Sequence, residues 1–205
     1  MATTKNILIA AVGGQGALLA ARVFGSYAAE LQLDVKVSEI HGMSQRGGSV
    51  VTHVRFGDSV ASPVIETGTA DVVMAFELLE AARYIGMLKR NGLLIVSNQR
   101  ILPLPVLTGK ETYPVDLLER MTTLPIRVLS LDAMSEAQAL GNIRTVNTIL
   151  LGAYAKQSGA APEPFRRAVM NSVRDAHREV NLTAFERGFA LASEVNAAGS
   201  VAERN

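Results

Sequence analysis

Ile7-Leu8-Ile9-Ala10-Ala11-Val12-Gly13-Gly14-Gln15-Gly16, with the helix-forming run over 17–33 behind it, is the stretch that decides the fold. Six apolar residues in succession suit a strand buried on both faces of a parallel sheet. The glycines break that strand, and Leu18, Ala21, Val23, Tyr27 and Leu31 then recur along one helical stripe. Residues 35–40 read as a second strand. Strand, glycine turn, helix, strand is the opening of a nucleotide-binding-type α/β domain.

Working outward, the chain reads as α/β: a Rossmann-like, mostly parallel sheet flanked by helices. Residues 49–56, rich in Val and Thr, form a strand that is predicted to turn at Gly57-Asp58 into 59–65, a β-hairpin insertion. A strand over 71–76 leads to a helix over 77–88, closed by Lys89-Arg90-Asn91-Gly92, and then to a strand over 93–97. Pro103, Pro105 and Pro114 keep 98–114 irregular. A short helix over 115–121, a strand over 126–130 and a helix capped by Asp132 follow. Helices over 145–158, 163–179 and 183–197, with a break near 180–182 and a fraying end at 198–205, form a C-terminal helical layer. The expectation is one domain over 1–205, with the helices of 145–197 packed on it.

Composition limits the function. The chain has 205 residues and no cysteine, so it can hold neither a disulfide nor a cysteine-ligated iron–sulfur cluster. His41, His53 and His177 are scattered, and no transition-metal site is expected. Twenty Lys+Arg against 19 Asp+Glu, without a basic stripe or aromatic platform, argues against nucleic acid. No apolar run nears the roughly 18 residues of a membrane span, and the first strand is too short for a signal-peptide core. No membrane association and a cytoplasmic location are expected. Only 19% of residues are charged, against about 25% in soluble domains. That fits either a large core or a surface that a partner covers.

Gly13 and Gly16 match the second and third glycines of the dinucleotide fingerprint, with Ala11 at the first. Glycine lets backbone approach an anion, and the helix N-terminus behind it offers N–H groups and partial positive charge. A turn that binds phosphate and one whose glycines serve only packing are both open on this evidence. Glu39 stands near the place of a ribose-binding acid. The second informative run is Glu39-Ile40-His41-Gly42-Met43-Ser44-Gln45-Arg46-Gly47-Gly48-Ser49-Val50. An acid, a histidine, an amide and an arginine share one glycine-rich loop at the edge where open α/β sheets bind ligands. Arg46 could fork onto a carboxylate or phosphate, or pair with Glu39 to brace the loop. His41 is a weak candidate for proton transfer. Asn147, near a helix start, could cap, touch a ligand or brace the neighbouring turn. Arg166, Arg167, Arg174 and Arg178 read as a solvated helix face or a dock for an acidic partner.

The two runs together resemble the gamma-type domain of 2-oxoacid:ferredoxin oxidoreductases. The His41–Gly48 version is most similar to the small (beta) subunits of the indolepyruvate branch. Thr52-His53-Val54-Arg55-Phe56-Gly57, Ala75-Phe76-Glu77, Asn98-Gln99-Arg100-Ile101, Gly141-Asn142 and Asn147 continue the likeness over most of the chain. The resemblance implies a subunit that takes part in oxidative decarboxylation of an arylpyruvate to an acyl-CoA and carbon dioxide. Ferredoxin is the implied electron acceptor and coenzyme A the co-substrate. Thiamine diphosphate and iron–sulfur clusters are implied on a large partner subunit, leaving the isolated chain inactive. Gly13, Gly14, Gln15, Gly16, Glu39, Gln45, Arg46, Gly47, Gly48 and Asn147 are the expected ligand-side residues. A stand-alone dinucleotide-binding oxidoreductase and a non-catalytic nucleotide or acyl-CoA module are the alternatives.

Overall fold

The apolar run does form a central strand, and the sheet grows from both its sides. A computed structural model describes residues 4–42 and 47–202. β1 (Lys5–Val12) leads through the glycine turn to α1 (Ala17–Glu30), β2 (Asp34–His41) and β3 (Ser49–Gly57). β4 (Ala70–Ala75), α2 (Leu78–Tyr84), β5 (Leu88–Ser97), α3 (Leu104–Leu107), α4 (Leu117–Thr122), β6 (Arg127–Leu131) and α5 (Ala133–Ala139) follow. α6 (Val146–Gln157), α7 (Pro162–Ser172) and α8 (Arg178–Ala202) complete the chain, with 3₁₀ turns at Ile85–Met87, Ile143–Thr145 and Asp175–His177.

The six strands lie in the order β2-β3-β1-β4-β5-β6. β1, β4, β5 and β6 are mutually parallel, whereas β3 runs antiparallel to both β1 and β2. The carboxyl ends of β1, β2, β4, β5 and β6 therefore share one edge with the amino end of β3. Alternate residues feed two cores. Ile7, Ile9, Val54, Met74 and Ile95 face α1 and the C-terminal helices. Leu8, Ala10, Val51, Val73 and Leu94 face α2, α4 and Tyr113. α6 and α8 touch backbone to backbone: a Cβ added at Gly188 would stand 1.8 Å from the Ile149 carbonyl oxygen.

The α/β class and the helical layer are as expected, while several element readings change. β3 pairs antiparallel with both β1 and β2, and no hairpin forms at Gly57-Asp58. Residues 59–65 form no strand, because side chains of β2 and β3 satisfy their backbone. Arg55 donates to the Ser62 and Val64 carbonyls, Asp34 accepts from the Val60 N–H, and His53 Nδ1 accepts from the Ile65 N–H. Lys89–Gly92 does not close a helix. It is an irregular stretch of β5, with Asn91 at φ 60°. Asn and Gly accept left-handed backbone in bulges as readily as in helix caps, so the sequence signal is shared. Pro103 and Pro105 start the single turn of α3, where proline is tolerated.

The break in the last third lies at Val173–Arg174, not near 180–182. Asn181 and Thr183 bond back to the carbonyls four residues earlier, and the expected break stays helical within α8.

His53 is 6% exposed, and burial lowers its pKa below the usual 6.5. The unfolded chain therefore takes up this proton more readily than the folded one. The resulting stability is present above about pH 6.5 and is lost as pH falls toward the folded-state pKa. Protonation at Nδ1 would also break the bond to Ile65. The unfolding free energy of the native chain should fall between pH 7 and 5 more steeply than that of His53→Asn, measured by urea titration. Parallel slopes would refute the assignment.

Candidate functional site

β1 and β3 carry their antiparallel register up to Val12↔Ser49, so the glycines beyond both strands are brought face to face. The Gly13 N–H donates to the Gly48 carbonyl at 2.8 Å, and the Gly47 N–H reaches the Gly13 carbonyl at 3.5 Å. The glycine turn after β1 and the Gly47–Gly48 pair before β3 thus meet at the strand ends.

Gly14 and Gly16 hold φ of 102° and 87°, backbone that L side chains rarely adopt. Gly14 has open space where a Cβ would be, whereas one at Gly16 would stand 2.2 Å from Asn147 Nδ2. Asn147, 2% exposed, donates from that nitrogen to the Gly16 carbonyl at 3.2 Å. It braces the turn, and the C-terminal layer holds it there. Gln15 is similarly committed. Its Oε1 accepts from the Val12 N–H at 2.7 Å, and its Nε2 donates to the Phe76 carbonyl and to Gln99 Oε1, both at 3.1 Å. Gln15 therefore ties the ends of β1, β4 and β5 together.

Gly13, Gly14, Gly16, Glu39 and His41 line one cleft of about 420 Å³, with Leu18 at its rim. The first turn of α1 faces it, presenting N–H groups and the positive end of the helix dipole. Glu39 lies 3.4 Å from the Thr52 hydroxyl, and His41 is exposed with Nδ1 3.3 Å from the Gly42 carbonyl. Gly47 and Gly48 line a different cleft of about 570 Å³ on the other face of the sheet, beneath the segment containing Ile101 to Pro114. The two glycine pairs touch yet serve opposite sides. Gln45 and Arg46 lie outside the described residues.

The second cleft contains acids that the sequence reading did not single out. Glu77 caps α2. Its Oε2 accepts from the Glu80 N–H at 2.9 Å, and its Oε1 accepts from the Ile101 N–H at 3.1 Å and the Tyr113 hydroxyl at 2.5 Å. Burial, then the Glu77 carboxylate, raise the Tyr113 pKa, so the phenol stays protonated and donates. Glu80, 4% exposed, accepts from the Ser49 hydroxyl at 2.5 Å and from Arg83 Nε at 3.2 Å. A strand end followed by Glu-Leu-Leu-Glu was the available signal for both, through the acid preference of a first helical turn.

The chain offers no thiolate to a cluster, and among the described residues no group of three or more His, Asp or Glu could hold a metal ion. The arrangement suits a ligand bearing an anion at the glycine turn. Among the described residues, no helix is long and apolar enough to cross a membrane.

The pyruvate ferredoxin/flavodoxin oxidoreductase family matches residues 6–191. The chain belongs to that family. It is 39% identical over 195 residues to indolepyruvate oxidoreductase subunit IorB of Thermococcus kodakarensis, covering 93% of this chain and 96% of that one. Solved structures share the fold. The gamma subunit of a keto/oxoacid ferredoxin oxidoreductase from Geobacter sulfurreducens superposes with a TM-score of 0.70 at 23% identity, over 93% of this chain and 99% of that one. The 2-oxoglutarate:ferredoxin oxidoreductase of Magnetococcus marinus, with 2-oxoglutarate, coenzyme A and succinyl-CoA bound, gives 0.72 at 18% identity, over 93% of this chain and 31% of that longer chain. The family member described here is therefore an oxidoreductase subunit, as its sequence implied.

Gly16→Ala should lower stability by at least about 1–2 kcal/mol through left-handed backbone alone. The clash with Asn147 adds to that, so the Gly16→Ala/Asn147→Ala double variant should lose less than the sum of the two single losses. Denaturant unfolding of the four proteins measures this; strict additivity would mean that the two residues do not brace one another.

Proposed function

We propose that this chain is the small subunit of a coenzyme A-dependent indolepyruvate or related arylpyruvate:ferredoxin oxidoreductase. The complex converts the 2-oxoacid and coenzyme A to an arylacetyl-CoA and carbon dioxide, passing the electrons to ferredoxin. A large partner subunit supplies thiamine diphosphate and iron–sulfur clusters, which carry the carbon–carbon cleavage and the electron transfer. The reading places the complex in the cytoplasm.

The observation that carries this proposal is the junction of Gly13–Gly16 with Gly47–Gly48 at the sheet edge, in a chain of this family. The chain's own part is to bind and orient. The amides of the Gly13–Gly16 turn and the dipole of α1 suit a coenzyme A phosphate. Glu39 and His41 border the same cleft. Arg46, which directly precedes Gly47 in sequence, is the proposed fork for a phosphate or for the oxoacid carboxylate. Gln15 and Asn147 act one step back by fixing the turn. A free-standing dinucleotide enzyme fits less well. β3 stands between β1 and β2, so Glu39 is roughly 9.5 Å of strand spacing from β1 rather than on the adjacent strand.

Co-expression with the large subunit is expected to give a brown complex that reduces a viologen dye with indolepyruvate and coenzyme A. Equal turnover by the large subunit alone would remove the proposal. Within the complex, Arg46→Ala should raise the KM for coenzyme A or the oxoacid about tenfold, the loss of roughly 1.5 kcal/mol from one charge-assisted hydrogen bond. A changed melting temperature with unchanged KM would instead make Arg46 a brace.

A further inference from the structure

Four arginines of the C-terminal layer stood out in the sequence, and the structure separates them. Arg166 is held by Glu186 and Glu163, Arg167 by Glu30 and Glu163, and Arg178 by Asp175. Arg174 is left over. Among the described residues it has no ion pair or side-chain hydrogen bond, and the same holds for Arg144. The extended break at Val173–Arg174 and the 3₁₀ turn Ile143–Thr145 place these two arginines in the lining of one cleft of about 400 Å³. His177 joins them, as do Asn142, Leu19 and Val173.

We infer that this cleft is a second ligand site, specific for a phosphate monoester on a nucleotide. Two guanidinium forks from separate segments, unpaired among the described residues, exceed the charge of a single carboxylate but match a phosphate dianion, and His177 adds an imidazole from the same segment as Arg174. The adjoining Leu19 and Val173 surface suits the flat, apolar face of a base. Asp175, the acid nearest in sequence, is engaged by Arg178 at 3.1 Å. The cations therefore do not depend on an internal acid for neutralisation.

The site lies apart from the glycine-turn cleft, but the two meet at α1. Gly16, Ala17 and Leu18 line the first, while Leu19 and Thr145 line the second. Asn147, two residues past Thr145, holds the Gly16 carbonyl. A phosphate in the second cleft would therefore bear on the segment that positions the turn. The ligand chemistry has two possible sources: the 3′-phosphate of coenzyme A itself, which rests on the function proposed above, or a separate nucleotide.

The first arm of the test titrates the full chain calorimetrically with adenosine 3′,5′-bisphosphate. Saturable binding that Arg144→Ala and Arg174→Ala each weaken at least tenfold is expected; both residues are exposed and unpaired, so the fold should be retained. Absence of binding overturns the proposal. Binding that ignores both substitutions also overturns it, because the phosphate then sits elsewhere, and the coenzyme A reading survives. The second arm compares turnover of the assembled complex on coenzyme A and dephospho-coenzyme A. If the variants raise KM for the first and not the second, coenzyme A is the source; if both KM values hold while bisphosphate binding is lost, a separate nucleotide is. A raised KM for ferredoxin with bisphosphate binding intact would make this an acidic-protein dock and end the proposal.

Discussion

The antiparallel pairing of β3 against β1, continued past both strands into the Gly13–Gly48 hydrogen bond, is the constraint on which the rest depends. Without it the turn after β1 and the loop before β3 would be two surface segments free to move separately. With it they become one hydrogen-bonded corner. The corner is then gripped from both sides of the sheet. Asn147 reaches it from the helical layer, and Glu80 reaches the first residue of β3 from α2. Each grip is a buried polar group with its partner in place, a bond whose loss would cost more than its formation contributes. The corner is thereby tied to both cores at once.

This construction explains which groups are left for a ligand. Gln15 and Asn147, the amide side chains that most resembled binding residues, are consumed by internal bonds. The main-chain amides of the turn, the positive end of α1, Glu39 and His41 border the cleft instead. Such an inventory binds and orients, and among the described residues it contains no buried acid–base pair lining the glycine-turn cleft. The buried acids, Glu77 and Glu80, lie across the sheet and are satisfied by main chain, hydroxyls and Arg83. On the proposed function, a subunit built this way adds geometry to chemistry that a partner chain carries.

Much of the frame was legible in the sequence. The run Ile7–Val12, its glycines and the following stripe located β1, the turn and α1 because burial on both faces and left-handed backbone each leave a strong local signature. The adjacency of β3 to β1 was not legible. Strand order is a matter of long-range pairing, and Val-rich strands pair with almost any neighbour. The misplaced break near 181 has a related cause: Asn181 and Thr183 favour turns when solvated but remain helical when they donate to nearby carbonyls and Thr148 donates to Asn181. For the site, the glycines were visible in the sequence, while the clefts they line and the roles of Gln15 and Asn147 emerged only once partners 61 and 131 residues away were in view. Glu80 escaped notice because a glutamate in a first helical turn is ordinarily a solvated one.

Amide hydrogen exchange on the assembled complex, with and without coenzyme A, reads out whether the joined glycine segments carry the ligand. If the two glycine segments form one ligand-bearing corner, peptides covering Gly13–Leu19 and Gly47–Val50 should gain protection together on coenzyme A addition, while the far ends of the same strands stay unchanged. Protection confined to the large subunit, with both glycine segments indifferent to coenzyme A, would contradict the account.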